Sequence, residues 1–262
     1  LHGLAMSRHS GCWVALKLVT DVVESSATVY VAPGHPARVL PPDPTPIPGG
    51  LGIRRNDLAL PQEDRLLNHK LHAALAYARA NQLNRVVLDG PSPRLGIATA
   101  GKSYADVRQA LAELGLDEAA AAAAGIRLLK VGMTWPLDPE AVARFAEGLE
   151  TILVVEEKRP LLEGQIKAVL YDAAPSRRPR VVGKYDGASE WSPSRGPPLL
   201  PMNGELSPPQ IAALLARLLG LRREAPVAAA ATPRAPGPVR LPSFCSGCPH
   251  NPSTRVLPGT RA

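Results

Sequence analysis

The sequence has few aromatic residues, few cysteines and no long apolar run, and each shortage excludes a class of protein. Only 4% of its 262 residues are aromatic, so aliphatic side chains and alanine must fill its core. No apolar run approaches the ~20 residues that a membrane-spanning helix requires. No signal peptide is visible at the start, which also lacks an initiator methionine. We therefore expect an internal fragment of a longer protein that has no membrane partner.

The three cysteines do not suit a disulfide framework. Cys245 and Cys248 lie close together, whereas Cys12 is far away in the sequence. An odd number in this arrangement favours a reducing compartment. We therefore expect the protein to be cytoplasmic.

The chain is basic, with 30 lysines and arginines against 23 aspartates and glutamates and a formal net charge of +7. Such an excess can indicate binding to nucleic acid or to an anionic membrane surface. Here the arginines are scattered, and no stretch interleaves basic with aromatic residues as a base-stacking surface does. We therefore expect no nucleic-acid partner.

The middle of the chain alternates short apolar runs with segments of helical periodicity. The apolar runs predict strands at residues 85–89, 95–98, 126–131 and 152–155, with a short edge strand at residues 181–182. Parallel neighbours cannot be joined by a tight turn, so strands that alternate with helices indicate helical crossovers. The pattern predicts an α/β fold with a mainly parallel sheet and flanking helices.

Polar residues mark the predicted helix starts in this region. Asp138 precedes Pro139, and Pro is tolerated at the first helical position. Ser207, followed by Pro208 and Gln210, begins a last helix in the same way. Ser103 and Asp106 form a capping-box-like pair at the start of another, and Pro160 opens the helix after residue 155.

The whole chain is divided into five segments. Apolar runs at residues 13–19 and 28–31 are ambiguous between strand and helix, but the Ser-Gly and Ser-Ser breaks beside them favour two strands. Prolines predict an extended loop, and helical spacing predicts a helix at residues 61–83. The resulting segments are the end of another domain at 1–31, a proline-rich crossover loop at 32–60, an α/β domain at 61–222, a flexible linker at 223–238 and the start of a further domain at 239–262.

Three motifs have a chemical and a structural interpretation. The run GIATAGKS at residues 96–103 matches the sequence pattern of a phosphate-binding loop, but its apolar residues fit a strand paired in a sheet. Residues 156–159, Glu-Glu-Lys-Arg, follow a buried strand and would either face a ligand crevice or form a solvated cluster. His69 and His72 are either half of a metal site or part of a solvated helix face.

The C-terminal Cys245-Ser-Gly-Cys248 motif is the sharpest local signal. Two cysteines at this spacing can bind one metal ion or one iron–sulfur cluster, and a redox dithiol has the same spacing. Such sites need four ligands, and only His250 lies nearby. The other interpretation is an exposed loop with two free thiols.

Several blocks together resemble a known family, the long, fused form of indolepyruvate:ferredoxin oxidoreductase. These blocks occur in the family's order and are LAMSRHSGCWVALKLVTDVVESSATV, RLGIATAGKSYADVRQALAELG, IRLLKVGMTWPLDPEAV, LETILVVEEKRPLLEGQIK and FCSGCPHNPSTRVLPGTRA. The resemblance implies a transketolase C-terminal-like domain at 61–222. It also implies remnants of thiamine diphosphate-binding domains at both ends: the pyrimidine-binding domain at 1–31 and the diphosphate-binding domain at 239–262.

The resemblance further implies an enzyme that oxidatively decarboxylates indolepyruvate and other aryl pyruvates. The expected cofactors are thiamine diphosphate with Mg, a 4Fe-4S iron–sulfur cluster and coenzyme A as co-substrate. The expected partners are ferredoxin, the 2-oxoacid substrate and further copies in a homo-oligomer. Cys245 and Cys248 would be cluster ligands and His250 would lie near the cofactor, whereas no catalytic residue is assigned.

The sequence departs from the family pattern at two points. It contains no Gly-Asp-Gly motif, which is typical of the thiamine diphosphate magnesium site, and Pro252 stands where threonine is expected. We therefore expect this segment to be mainly structural and inactive alone. The alternative hypothesis is a free-standing α/β domain that binds a nucleotide or a protein partner.

Overall fold

A computed structural model describes residues 1–30, 38–174, 177–187, 189–221, 243–256 and 259. The chain divides into two units, Leu1–Leu221 and Arg222–Ala262. In the second unit the described residues form one short helix, α10 (His250–Ser253). No helix within the described ranges is long and apolar enough to cross a membrane.

The first unit is built on a five-stranded sheet with the order β1-β3-β2-β4-β5. Its strands are β1 (Asn84–Leu88), β2 (Leu95–Ala100), β3 (Ile126–Val131), β4 (Thr151–Val155) and β5 (Arg180–Val182). β2 pairs in parallel with β3 and with β4, and β4 pairs in parallel with β5. The predicted mainly parallel sheet and the short strand at one edge are confirmed.

β1 is the exception, because it runs antiparallel to β3. The connection from β1 to β2 contains no helix, and such a short connection cannot return the chain to the same end of the sheet. The chain therefore reverses direction between β1 and β2, with β3 lying between them in the sheet.

Helices cover both faces of the sheet, in two apolar layers. One layer contains α5 (Lys102–Glu113), α6 (Glu118–Ala123) and α9 (Pro208–Leu219), and the other contains α7 (Pro139–Ala146) and α8 (Leu162–Leu170). Neighbouring residues of β2 alternate between the layers: Ile97 packs in the first and Ala98 in the second. Both faces of the central strands are therefore buried, as their continuous apolar sequence predicts.

Two of the three predicted helix caps are confirmed. Asp138 accepts a hydrogen bond from the Glu140 backbone N–H at the start of α7, and Ser207 forms a capping box with Gln210 at the start of α9. The capping pair of Ser103 and Asp106 is wrong. α5 begins earlier, directly after Gly101, whose positive φ of 56° turns the chain out of β2, so Ser103 lies inside the first turn.

The N-terminal part consists of helices and loops. Its elements are α1 (His2–Ser10), α2 (Thr20–Val23), α3 (Ala59–Arg65), a π-helical turn (Leu66–Lys70) and α4 (Leu71–Ala80). α1 packs on α4 through Met6, Ala74 and Tyr77. The helix predicted from residue 61 is confirmed, and residues 38–58 contain no helix or strand, as expected for a proline-rich loop.

The two strands predicted near the N-terminus are wrong in the part of the chain that the structure describes. Residues 11–19 and 24–30 are irregular and residues 20–23 form α2. A strand needs a neighbour to bond its backbone, and none of the described strands lies beside these segments. Val31 and the predicted linker at 223–238 lie outside the described residues.

Candidate functional site

The carboxyl ends of β2 and β4 define a topological switch point in the sheet. β2 is followed by α5 in one helix layer, whereas β4 is followed by α8 in the other. In open α/β sheets a crevice forms where neighbouring connections diverge in this way, and ligands bind there. A ligand site in this domain is therefore expected among the side chains at this switch point.

Glu156, directly after β4, caps the N-terminus of α8. Its carboxylate is buried and accepts hydrogen bonds from the backbone N–H groups of Leu161 (2.9 Å), Leu162 (2.9 Å) and Glu163 (3.0 Å). These are among the N–H groups that a helix start leaves without an intrahelical partner, and the negative charge also suits the positive end of the helix dipole. Glu156 is therefore a structural cap rather than a ligand-binding residue.

Lys102, at the start of α5, is surrounded by acceptors. Its Nζ lies 3.0 Å from Asp106 Oδ2, 3.1 Å from Glu205 Oε1 and 3.7 Å from Glu157 Oε1, and it donates to the Leu206 carbonyl at 3.1 Å. Burial lowers the pKa of Lys102, but the hydrogen bonds and charges of Asp106 and Glu205 outweigh it, so the pKa is raised. The Lys102 ammonium therefore stays charged and bound to these carboxylates and to the Leu206 carbonyl.

The segment of residues 201–206, here called the strap, is held at the switch point by these charged residues. Glu157 accepts a hydrogen bond from the Leu206 N–H at 3.2 Å. Lys158, which has a positive φ of 59°, donates to the Gly204 carbonyl at 2.6 Å. Lys184 donates to the Pro201 carbonyl at 3.0 Å. The side chains of Glu157, Lys158 and Lys184 are thus hydrogen-bonded to the backbone of the strap, so they are not available to a ligand.

Lys184 is the most deeply buried charged residue of this network. Its Nζ also donates to the Glu156 carbonyl, and its backbone N–H donates to Glu163 Oε2 at 3.1 Å. Burial lowers the pKa of the Lys184 ammonium, and the nearby carboxylates of Glu156, Glu157 and Glu163 oppose that effect. Sequence reasoning missed Lys184, because its local sequence gives no sign of burial.

The phosphate-loop interpretation of residues 96–103 is wrong. Residues 96–100 belong to β2, which is hydrogen-bonded to a strand on each side, so this backbone cannot wrap around a phosphate. The lysine of the motif, Lys102, is held by carboxylates. The nucleotide-binding alternative therefore loses its only motif.

The solvated-cluster interpretation of residues 156–159 holds for Lys158 and Arg159, which are exposed, but not for the buried Glu156. Glu156, Glu157 and Lys158 bind other parts of the same unit, as described above. Arg159 pairs with Glu190 and lies over the Trp191 ring, 5.3 Å from its centroid. The hydrogen bond from Arg159 lowers the pKa of Glu190. The run is therefore a set of internal contacts that fastens the end of β4 to later segments.

His69, one histidine of the pair His69 and His72, contacts the proline-rich loop. His69 Nδ1 lies 2.8 Å from the Thr45 carbonyl oxygen, a hydrogen bond to the proline-rich loop. No group of three or more His, Cys, Asp or Glu residues that could hold a metal ion occurs among the described residues. The helix-face interpretation of His69 and His72 is therefore favoured.

The cysteine motif forms a tight turn in the second unit. The Cys248 N–H donates to the Cys245 carbonyl at 3.0 Å, and Gly247 has a positive φ of 81°. Cys248 Sγ lies 3.2 Å from His250 Nδ1, and the His250 ring stacks on Phe244. Both thiols are free, with Cys245 exposed and Cys248 half-buried. The donor set fits two of the four ligands of an iron–sulfur cluster, so the cluster assignment stays a prediction.

The matching family model and the similar sequences name one family. The family model described as "Indolepyruvate oxidoreductase domain" matches residues 85–231 of the 262. The indolepyruvate oxidoreductase subunit IorA of Methanothermobacter marburgensis is 30% identical over 206 residues, which are 78% of this chain and 28% of that protein. The same subunit of Methanothermobacter thermautotrophicus is 28% identical over 257 residues, which are 95% of this chain and 36% of that protein.

Two solved structures are similar at low sequence identity. A 2-oxoglutarate:ferredoxin oxidoreductase from Magnetococcus marinus, with 2-oxoglutarate, coenzyme A and succinyl-CoA bound, is 15% identical, with a TM-score of 0.38 over 65% of this chain and 25% of that chain. A split-gene transketolase, an inactive β4 tetramer, is 15% identical, with a TM-score of 0.36 over 59% of this chain and 56% of that chain.

The sheet and its two helix layers define a mainly parallel α/β domain. The chain belongs to the indolepyruvate oxidoreductase domain family, because the family model covers more than half of it. The sequence resemblance to this family is thus confirmed. The chain spans only 28% and 36% of the length of the two relatives compared above.

Proposed function

We propose that this chain is the structural α/β part of an indolepyruvate oxidoreductase whose reacting groups lie mainly in other parts of the protein. Two observations together carry the proposal. The family match covers all but the first residue of the sheet, and the chain's own residues fill the switch point. A domain of this kind supports neighbouring domains rather than binding a substrate at its sheet edge.

In this proposal the whole protein oxidatively decarboxylates indolepyruvate and other aryl pyruvates to acyl-CoA and passes the electrons to ferredoxin. Thiamine diphosphate with Mg would supply the carbanion stabilisation that decarboxylation of a 2-oxoacid requires. The names of the relatives support the indolepyruvate assignment. The protein would be a cytoplasmic homo-oligomer, with residues 1–31 and 239–262 belonging to its thiamine diphosphate-binding domains and 61–222 forming the transketolase C-terminal-like domain.

The experiment that tests this function is a reductive assay of the complete gene product. We expect reduction of ferredoxin or a viologen dye that requires indolepyruvate, coenzyme A and thiamine diphosphate, and that is faster with aryl pyruvates than with pyruvate. The 262-residue chain alone should show no turnover. Absence of reduction by a folded, cofactor-loaded gene product with every 2-oxoacid would contradict the proposal.

Cys245 and Cys248 are proposed as two ligands of a 4Fe-4S cluster. The support is their two-residue spacing, their turn geometry and their free thiols. In the complete gene product, serine at both positions should lower the iron content per polypeptide and its charge-transfer absorbance. Serine at Cys12 is the matched control and should leave both unchanged. Unchanged iron in the double variant would rule out the assignment.

His250 is proposed to lie near the thiamine diphosphate. The support is its position two residues after Cys248, with Nδ1 next to the Cys248 thiol and the ring stacked on Phe244. His250→Gln should weaken thiamine diphosphate binding in an equilibrium titration of the complete gene product, without changing its iron content. An unchanged affinity would place the cofactor elsewhere.

A further inference from the structure

The outer face of α8 is largely apolar and exposed. The opposite face of this helix packs Leu162, Ile166 and Leu170 into the core. Residues spaced by three and four positions share one side of a helix, and on the outer side these are Leu161, Gly164, Ala168 and Tyr171. We call these four residues the α8 outer face. All four are exposed, Leu161 by 50% and Tyr171 by 71%. The Arg178 guanidinium lies over the Tyr171 ring, 5.5 Å from its centroid, and leaves most of that side chain exposed.

The loop that carries Trp135 lies beside the N-terminal end of this face. Gln165 Nε2 donates to the Thr134 carbonyl at 3.0 Å and to the Leu161 carbonyl at 3.1 Å, so the loop before α7 lies beside the start of α8. Gln165 Oε1 accepts a hydrogen bond from the Leu137 N–H at 2.9 Å. The Gln165 amide is therefore engaged internally, and Trp135, on the loop beside it, is 62% exposed.

Gly164 has no structural role that the described residues reveal. A glycine inside a helix costs about 1 kcal/mol relative to alanine. The backbone φ of Gly164 is not positive, and a Cβ added there would meet open space. Neither a turn nor a contact within this unit therefore requires a glycine. Glycine also allows another backbone to approach closely, which accounts for its presence if something packs on this face.

We propose that the α8 outer face, together with Trp135, docks against the rest of the complete oxidoreductase polypeptide. The small residues Gly164 and Ala168 would allow a close backbone approach, and Trp135, Leu161 and Tyr171 would be buried around it. Tryptophan and tyrosine are enriched at such interfaces. The occupant is assigned to the same polypeptide because the chain spans only 28% and 36% of the length of the two relatives compared above. The inference therefore rests on the proposed function in one respect, that this chain is part of a longer protein.

The test is hydroxyl-radical footprinting of the complete gene product and of the 262-residue chain under the same conditions. We expect Trp135 and Tyr171 to be oxidised several-fold more slowly in the complete product than in the shorter chain. Equal oxidation rates would overturn the proposal. Protection that appears in the 262-residue chain and grows with its concentration would assign the face to a second copy and overturn the proposed occupant. A gene that encodes no further residues would also overturn it.

A substitution at Gly164 provides a second, independent measurement. Gly164→Gln should leave the melting temperature of the 262-residue chain unchanged or raised, because the site is open and helical. In the complete product it should abolish the protection of Trp135 and Tyr171. Ala119→Gln, at an exposed position of α6, is the matched control and should preserve the protection. Protection retained in Gly164→Gln would contradict the close approach.

These readouts are independent of enzymatic turnover. A complete product that lacks indolepyruvate-dependent reduction but protects Trp135 and Tyr171 would refute the proposed reaction and leave the docking surface in place. An active product in which both residues remain as reactive as in the shorter chain would refute only the docking surface.

Discussion

Removal of the Glu156 carboxylate tests whether the run after β4 is structural. In Glu156→Ala, three backbone N–H groups lose their acceptor. Leu161 is 50% exposed, so water can replace the acceptor there, whereas Leu162 and Glu163 are only 2% and 4% exposed. A buried polar group left without a partner costs about 1–3 kcal/mol. Two such groups, with some relaxation of the helix start, should lower the free energy of unfolding by about 3 kcal/mol.

The assay is urea unfolding of the 262-residue chain, followed by far-ultraviolet circular dichroism. For a domain of this size the expected loss corresponds to a fall in melting temperature of about 6–12 °C. Glu156→Gln keeps one acceptor oxygen and should lose about half as much. Glu150→Ala, at the exposed position just before β4, is the control and should change stability by less than about 0.5 kcal/mol. Equal losses in Glu156→Ala and Glu150→Ala would refute the capping role.

Three further predictions concern buried contacts of the same unit. The pKa of Lys184 is lowered in the folded state. Between this lowered pKa and the ordinary pKa of lysine the unfolded chain binds more protons than the folded chain, so the free energy of unfolding should rise with pH across that range. Lys184→Met should remove this rise in unfolding curves recorded at a series of pH values. In Gly183→Ala the added Cβ would collide with the Glu163 carboxylate, which should lower the free energy of unfolding by about 1–3 kcal/mol in urea titrations, and an unchanged midpoint would contradict that crowding. The Asp138 carboxylate caps α7 and accepts from Arg79 at 2.8 and 2.9 Å, so Asp138→Asn should cost about 1–3 kcal/mol, and a double-mutant cycle with Arg79→Met should show coupling.

The central sheet could be predicted from the sequence because its signals are local. The run at residues 126–131 coincides with β3, and Ile152–Val155 forms all but the first residue of β4. Asp138 before Pro139 and Ser207 with Gln210 fix helix starts through contacts within a few residues. Apolar runs and caps of this kind carry their physical cause in the adjacent sequence.

The contacts that close the switch point could not be predicted, because they join residues far apart in the chain. Lys102 reaches Glu205 and Leu206, and Lys184 reaches Pro201 and the end of β4. The phosphate-loop pattern of residues 96–103 was misleading for the same reason. Only the pairing of β2 with β3 and β4, which are distant in the sequence, shows that this motif begins in a strand. The apolar run at residues 13–19 predicts a strand, but a strand forms only where another strand is available.

The strap and the charged residues around it close the switch point of this domain. Calorimetric titration of the 262-residue chain with Mg-ATP is the sharpest test of this closure. No saturable binding is expected, because Lys102 is held by Asp106, Glu205 and the strap. Micromolar binding that is lost in Lys102→Ala and kept in a Lys130→Ala control would contradict it and would restore a nucleotide site at the end of β2.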